Sequence, residues 1–304
     1  QEGSGRAPGS GRAGGWRRRP ARVPAPVLAP AAIAMAWVRS ILLHARILCL
    51  AGYSLEELSR ADHSIGMKLA VEDGPPDLVR DLLREYLEVQ KVDPNELWTA
   101  RTNIFHYADF PILHYACMLP DREEEVGVLL EAGAPADYEA DSGMRPLHSA
   151  AEHGSAGAVK LLLRAGVNPR QPASERAVNN NDARKTGFDG MTAATLAAKH
   201  GHVEVLRALL DSGGAAAGTL TERDGNMEVG AYGWAPIQYA VHHRLRAVTD
   251  FLTFEVGWGS IGAADVLRAA PSEDRGELDP VSEAFAARRD QYLKEQARKT
   301  GGEL

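Results

Sequence analysis

Two stretches of this chain set apolar and polar residues in the same order at the same spacing. Pro146-Leu147-His148-Ser149-Ala150-Ala151 leads to Gly154, Leu161-Leu162-Leu163 and Gly166. Thr192-Ala193-Ala194-Thr195-Leu196-Ala197-Ala198 leads to Gly201-His202-Val203-Glu204-Val205, Leu209-Leu210 and Gly213. His148 lies 15 residues before Leu163 and 18 before Gly166; Thr195 stands at the same 15 and 18 from Leu210 and Gly213. The pattern predicts a short helix with a small apolar face, a Gly-ended turn and a second, Leu-rich helix. A unit this small cannot bury its own apolar face. Repetition at fixed internal spacing therefore predicts stacked units with the core between neighbours.

Weaker copies flank the two clear ones. Phe110-Pro111-Ile112-Leu113-His114-Tyr115-Ala116 leads to Val128-Leu129-Leu130-Glu131-Ala132-Gly133-Ala134, and Gly233-Trp234-Ala235-Pro236-Ile237-Gln238-Tyr239-Ala240 leads to Val248 and Phe251-Leu252. At the front, Lys68-Leu69-Ala70-Val71-Glu72-Asp73-Gly74 leads to Leu78-Val79, Leu82-Leu83 and Val92-Asp93-Pro94-Asn95. The shared pattern Gly-x-Thr-Pro-Leu-His-x-Ala-Ala, then Gly-His-x-Glu-Val and Leu-Leu-Leu-x-x-Gly-Ala, resembles the ankyrin repeat family. The resemblance implies an all-α solenoid of stacked helix-turn-helix repeats with β-hairpin or loop fingers. It sets about five repeats near 64–95, 109–142, 143–170, 190–214 and 233–257, the outer ones degenerate as terminal caps tend to be.

The residue types have physical reasons. Thr, or a substitute, caps the first helix, and Pro at its first position needs no N–H partner. Leu and Ala-Ala let neighbouring helices approach closely, and Gly154 and Gly201 end the helix in a left-handed conformation without a Cβ penalty. Several positions depart from the pattern. Arg145 replaces the capping Thr, Ala193 and Thr195 replace Pro and His, and Arg244 replaces the helix-ending Gly. Each departure is expected to weaken its unit by about 1 kcal/mol. His148 to Thr195 spans 47 residues and Thr195 to Gln238 spans 43, against about 33 for the family. The excess reads as extended finger loops at 171–187 and 214–231.

The flanks differ from the repeats. Residues 1–50 carry eight Arg against Glu2 alone, a local charge of +7, so the remainder of this −7 chain is near −14. Residues 1–53 are expected to be a disordered Arg/Gly/Pro-rich segment. Its composition fits an organellar transit peptide and equally an extension ahead of a start at Met35. Ser54-Leu55-Glu56-Glu57 has capping-box spacing, so order is expected to begin there and the repeat domain to run over 54–270. Residues 271–304 read as a charged tail, with a helix from Asp279-Pro280 to about Lys299 carrying Val281, Ala284, Phe285 and Tyr292 on one stripe.

Composition narrows the function. The only cysteines, Cys49 and Cys117, form neither a disulfide framework nor a CxxC pair, so an intracellular, cytoplasmic setting is the default. An acidic body disfavours nucleic acid, and no apolar run is long enough for membrane insertion. No nucleophile elbow, phosphate-binding loop or HExxH occurs. No metal and no cofactor are expected, and the chain reads as no enzyme. His114 and His148 stand where the family uses the ring to bond neighbouring loops. His153, His200 and His243 share one register before the helix-ending residue and could line up across units. Trp98 and Phe105 are expected to seal a junction.

The resemblance implies a non-catalytic interaction module, a scaffold or adaptor holding a protein partner on its concave, finger-side face. Carried over by position, that face comprises Asp141, Ser142, Met144, Glu152 and His153, then Phe188, Asp189, Met191, Lys199 and His200, then Tyr232, Trp234, His242 and His243. The chain is expected as a monomer or in a hetero-complex. The alternative is a regulatory or targeting subunit of an enzyme complex, with the C-terminal helix delivering the output.

Overall fold

The computed structural model describes residues 58–59, 63–99, 102–104, 108–174, 188–225, 233–257 and 261–300, all within the unit His44–Leu304. Ser54 and its capping box, Phe105, Tyr232, most of 171–187 and the tip of 214–231 lie outside the described residues. Helices pair in sequence: α1 (His63–Asp73) with α2 (Pro76–Arg84, continued by a π turn to Val89), then after α3 (Pro94–Thr99) and a hairpin, α4 (Ile112–Met118) with α5 (Glu123–Glu131). There follow α6 (Pro146–His153) with α7 (Ala156–Arg164), and α8 (Ala193–His200) with α9 (Val203–Ser212). After α10 (Gly214–Gly218) comes α11 (Pro236–His242) with α12 (Arg246–Phe251, continued by a π turn to Val256). The chain ends in α13 (Ala263–Ala269), α14 (Arg275–Leu278) and α15 (Glu283–Thr300).

First helices α1, α4, α6, α8, α11 and α13 pack in series, and second helices α2, α5, α7, α9 and α12 form a parallel series behind them. This is the all-α repeat solenoid that the spacing implies. Its core lies between units: Ala150, Ala151, Ala197, Ala198 and Ala240 are fully buried in the first layer, Leu82, Leu129, Leu162 and Leu209 in the second. Each buried Leu stabilises the stack by roughly 1.5–3 kcal/mol.

The first-helix starts solve one problem with three residue types. The N–H of the capping residue needs an acceptor, because no helical carbonyl reaches it. His148 Nδ1 accepts it from Arg145 at 3.1 Å, Thr195 Oγ1 from Thr192 at 2.9 Å and Gln238 Oε1 from Ala235 at 3.0 Å. The far nitrogen then ties units together: His114 Nε2 to the Met144 carbonyl (3.1 Å), His148 Nε2 to that of Gln171 (2.9 Å), Gln238 Nε2 to that of Asp265 (3.4 Å). Thr195 makes the cap but is too short for the tie. Arg145, read from the sequence as a lost cap, instead bonds the Asp137 carbonyl (2.7 Å) and Glu139 Oε2 (2.8 Å), while Glu139 Oε1 accepts from Ser174 of the next finger (2.9 Å).

Successive fingers bond edge to edge, Ser174 N to Gly143 O at 3.1 Å and Gly225 N to Gly190 O at 2.9 Å. At Gly143 (φ +78°) a Cβ would overlap the Ser174 carbonyl, so only glycine permits this approach.

The structure differs from the sequence reading at several places. The stretch 214–231 is not a plain extended loop: Ala215-Ala216-Ala217, strong helix formers, make α10, and Ala216 and Leu220 enter the core. The link after the first unit holds a two-stranded antiparallel hairpin, β1 (Thr102–Ile104) with β2 (Ala108–Phe110), registered Thr102 to Phe110; Trp98 beside it is buried. The helix expected from Asp279 starts at Glu283, because Ser282 Oγ caps the Phe285 N–H at 3.0 Å. That shift leaves Val281 91 % exposed and off the packed stripe.

The residues after 270 also pack as part of the stack. Phe285 and Tyr292 of α15 meet Phe254 at 5.4 Å, and Arg288 Nε bonds Asp250 at 2.5 Å. Glu255 receives Arg207 through two bonds (2.7 and 2.9 Å) and the Tyr292 hydroxyl. With α13 in the first layer, these contacts fasten the C-terminal segment to the end of the stack.

Candidate functional site

Residues on the first-helix face fall into two rows, one on the fingers and one at the helix ends. In the finger row Asp141 and Asp189 are exposed, and Ser142 and Phe188 are half-buried. Met144 and Met191, expected on this surface, are 3 % and 0 % exposed and belong to the core. Each stands just ahead of its helix cap and tucks under the finger, so neither is available to a partner.

Trp234 is half-buried. Its backbone N–H donates to Asp224 Oδ1 (3.0 Å), its backbone carbonyl accepts from Asp224 N (2.9 Å), and the Tyr239 hydroxyl donates to Asp224 Oδ2 (2.7 Å). This clamp closes the base of the insertion and fixes the indole edge-on to Tyr239 (5.4 Å) and His242 (5.1 Å). The indole therefore lies partly on its own finger and partly on the helix-end row.

The helix-end row comprises half-buried Glu152 and Lys199 and exposed His153, His200, His242 and His243, from the ends of α6, α8 and α11. Lys199 Nζ lies over the Phe188 ring, 5.3 Å from its centre. His202, which caps α9, joins them: its ring stacks on His200 at 6.4 Å and 13°, and its Nε2 bonds the Glu152 carbonyl at 2.7 Å. Sequence reasoning passed over His202 as part of the Gly-His turn, although that turn places it beside the preceding helix end.

Electrostatics tie the row together. Burial lowers the pKa of His200, and the charges of Lys199, His202, His153 and His243 lower it further. His243 is lowered by burial, then by His242 and Lys199. Burial raises the Glu152 carboxyl, against the pull of His153, Lys199 and His202. Imidazoles of three successive units thus share one field. Among the described residues, no three His, Cys, Asp or Glu side chains converge to hold a metal ion. Cys117 is fully buried, and burial pushes its thiol upward.

Two open grooves lie on the other layer. Volumes of about 660 and 510 Å³ border α7 and share Lys160 and Arg164. Both mix cations with acids, Asp211 in one and Asp77, Glu123, Glu124 and Glu131 in the other.

Stacked helix pairs with laterally bonded fingers and a recurring His or Gln tie define a helical-repeat protein. A family model for ankyrin repeats (3 copies) matches residues 67–173 and 174–257, more than half of the 304 residues, and the chain belongs to the ankyrin repeat family. Ankyrin repeats are generally protein–protein interaction modules and typically non-catalytic. A search of curated proteins finds no significant match. Among the described residues no helix is long and apolar enough to cross a membrane.

Proposed function

We propose that this chain is a non-catalytic adaptor that holds a protein partner on its first-helix face, between the fingers and the ends of α6, α8 and α11. The observation that carries this reading is the helix-end row. Six polar side chains from three successive units, beside a half-exposed indole, occupy a surface that no element of the chain covers among the described residues. Aromatic anchors with adjoining polar groups dominate interface energetics, and Trp234 is already held in place by Asp224. The second reading, an output helix for an enzyme complex, is disfavoured by the ion pairs and rings that fasten α15 to α12.

Crosslinking capture from the native cell tests the face. Trp234→Ala with Lys199→Glu should lose the partner, whereas Lys160→Glu on the opposite layer should keep it, with all three proteins melting normally. Unchanged capture by the first variant would sink the reading.

A further inference from the structure

The helix-end row has a charge logic of its own. At neutral pH its fixed charges are Lys199 and Glu152, which cancel. Three helix C-termini, those of α6, α8 and α11, point to the same edge, each carrying about half a negative charge. A carboxylate approaching this edge is repelled while the imidazoles are neutral. Protonation reverses the sign, because His153, His200, His242 and His243 then add up to four positive charges in one strip.

The surroundings do not supply that charge otherwise. On α9, Glu204 is exposed and His202 is engaged with the Glu152 carbonyl. Arg244 is turned to Glu273 and Asp274, and Arg246 to Asp250. From α13, Asp265 is held by Arg223 and Arg268. In the same register the neighbouring units carry Met118-Leu119 and Ala269-Ala270, so the titrating strip is bounded by apolar positions at both ends. Three helices about 8–10 Å apart give a strip near 20 Å, the span of about six extended residues.

We propose that the ends of α6, α8 and α11 form a docking strip for a short carboxylate-rich segment of a protein partner, gripped by Lys199 and the imidazoliums of His153, His200, His242 and His243, so that binding tightens on acidification. The inference rests on the reading that a protein is held on the first-helix face. A polyphosphate chain does not fit equally well. The chain as a whole is at −7, and exposed Asp141 and Asp189 stand on the finger side of the strip. A long polyanion would cross that acidic surface, whereas a short acidic segment need not. The sign of the effect follows from linkage. A bound anion favours the protonated imidazoles, working against the burial and neighbouring charge that lower His200 and His243, so affinity rises as pH falls and levels off once the free strip is itself protonated.

The test uses the full chain and a fluorescein-labelled peptide of alternating Asp and Gly, about ten residues long, with an Asn-for-Asp control. Asp stays ionised at pH about 5.5. Anisotropy should show the Asp probe binding about tenfold tighter at pH about 5.5 than at about 7.5. The Asn probe should show no such change, and added salt should weaken the Asp probe. His153→Gln, His200→Gln and His243→Gln combined should bring the pH ratio to within about twofold, with the neutral-pH melt unchanged. Lys199→Gln should weaken binding at both pH values and keep the ratio. An unchanged ratio in the triple variant, or equal behaviour of Asp and Asn probes, overturns the inference. If Trp234→Ala with Lys199→Glu abolishes partner capture while the Asp probe neither binds nor competes, this inference falls and the protein-binding reading stands. Capture indifferent to both substitutions removes the reading and the inference together.

Discussion

Two rows of histidine run through the same stacked helices and differ in burial and in what their rings bond. His114 and His148 stand at the third helical position, 0 % and 1 % exposed, and burial lowers both to about 4. His153, His200 and His243 stand at the far ends of their helices, exposed to solvent. In α6 the two kinds are five residues apart, a turn and a half of one helix. The inner ring uses both nitrogens for backbone groups: His148 Nδ1 accepts from Arg145 N and Nε2 donates to the Gln171 carbonyl. A second proton on that ring would face the Arg145 N–H, so the neutral form is built in. At the helix ends the rings are exposed, and burial with neighbouring charge lowers His200 and His243 without a backbone bond that fixes the neutral form. Residue type does not set the role; the local hydrogen-bond demand does.

The largest expected consequence is acid sensitivity from the inner row. An unfolded histidine takes up its proton near 6.5, whereas these two resist it until about 4. Their stabilisation is therefore fully present above about pH 6.5 and is lost as pH falls toward about 4. For the pair the loss between neutrality and pH about 4.5 amounts to ~5 kcal/mol. Gln238 shows, in this same molecule, that an amide makes the cap and the inter-unit tie without a titrating group. His114→Gln with His148→Gln should remove most of that acid loss, read as the change in urea-unfolding free energy between the two pH values. An acid loss as large as that of the parent chain would break the contrast between the rows.

Single substitutions at neutral pH sharpen the same contrast on a smaller scale. His148→Ala leaves the part-buried Arg145 N–H and Gln171 carbonyl without their ring partner and opens a cavity at a buried side chain, and is expected to cost ~3 kcal/mol. His148→Gln should cost under about 1 kcal/mol. His200→Gln, on the exposed row, should stay within about 0.5 kcal/mol. Chemical denaturation of the three proteins side by side checks the order; equal losses at His148 and His200 would mean both rows are structural.

What was legible in the sequence follows from what is local. The Pro-Leu-His start, the paired Ala and the helix-ending Gly are short-range requirements, and they located the central helices and the shared register of His153, His200 and His243. The packing of the C-terminal segment was not legible. Ala263 and its neighbours lack the repeat signature, and α15 is held through Arg288–Asp250 and Tyr292–Glu255, pairings that join positions 37 or 38 residues apart. The fingers hid Met144 and Met191 for a related reason: whether a loop residue points in or out depends on lateral bonds to the next finger, such as Ser174 to Gly143. Ala215-Ala216-Ala217 fell in a stretch read as an extended loop from the excess spacing, when its own helix propensity decides the local structure.

The smallest expected effect lies beside His243, at the one helix end of the three that glycine does not close. Gly154 and Gly201 end α6 and α8 at φ +82° and +89°, and Arg244 adopts φ +57° in the same place. A left-handed arginine costs about 1 kcal/mol relative to glycine. Its exposed ion pairs with Glu273 and Asp274 return only part of that, since such pairs contribute about 0–1 kcal/mol. Arg244→Gly should therefore raise the melting temperature by about 1–3 °C. Gly201→Arg, which meets Leu245 at ordinary contact distance and gains no comparable partner, should lower it. A fall in the first variant would mean that the pairs to Glu273 and Asp274 outweigh the backbone strain. The third helix end would then be held by charge where its two neighbours are held by conformation.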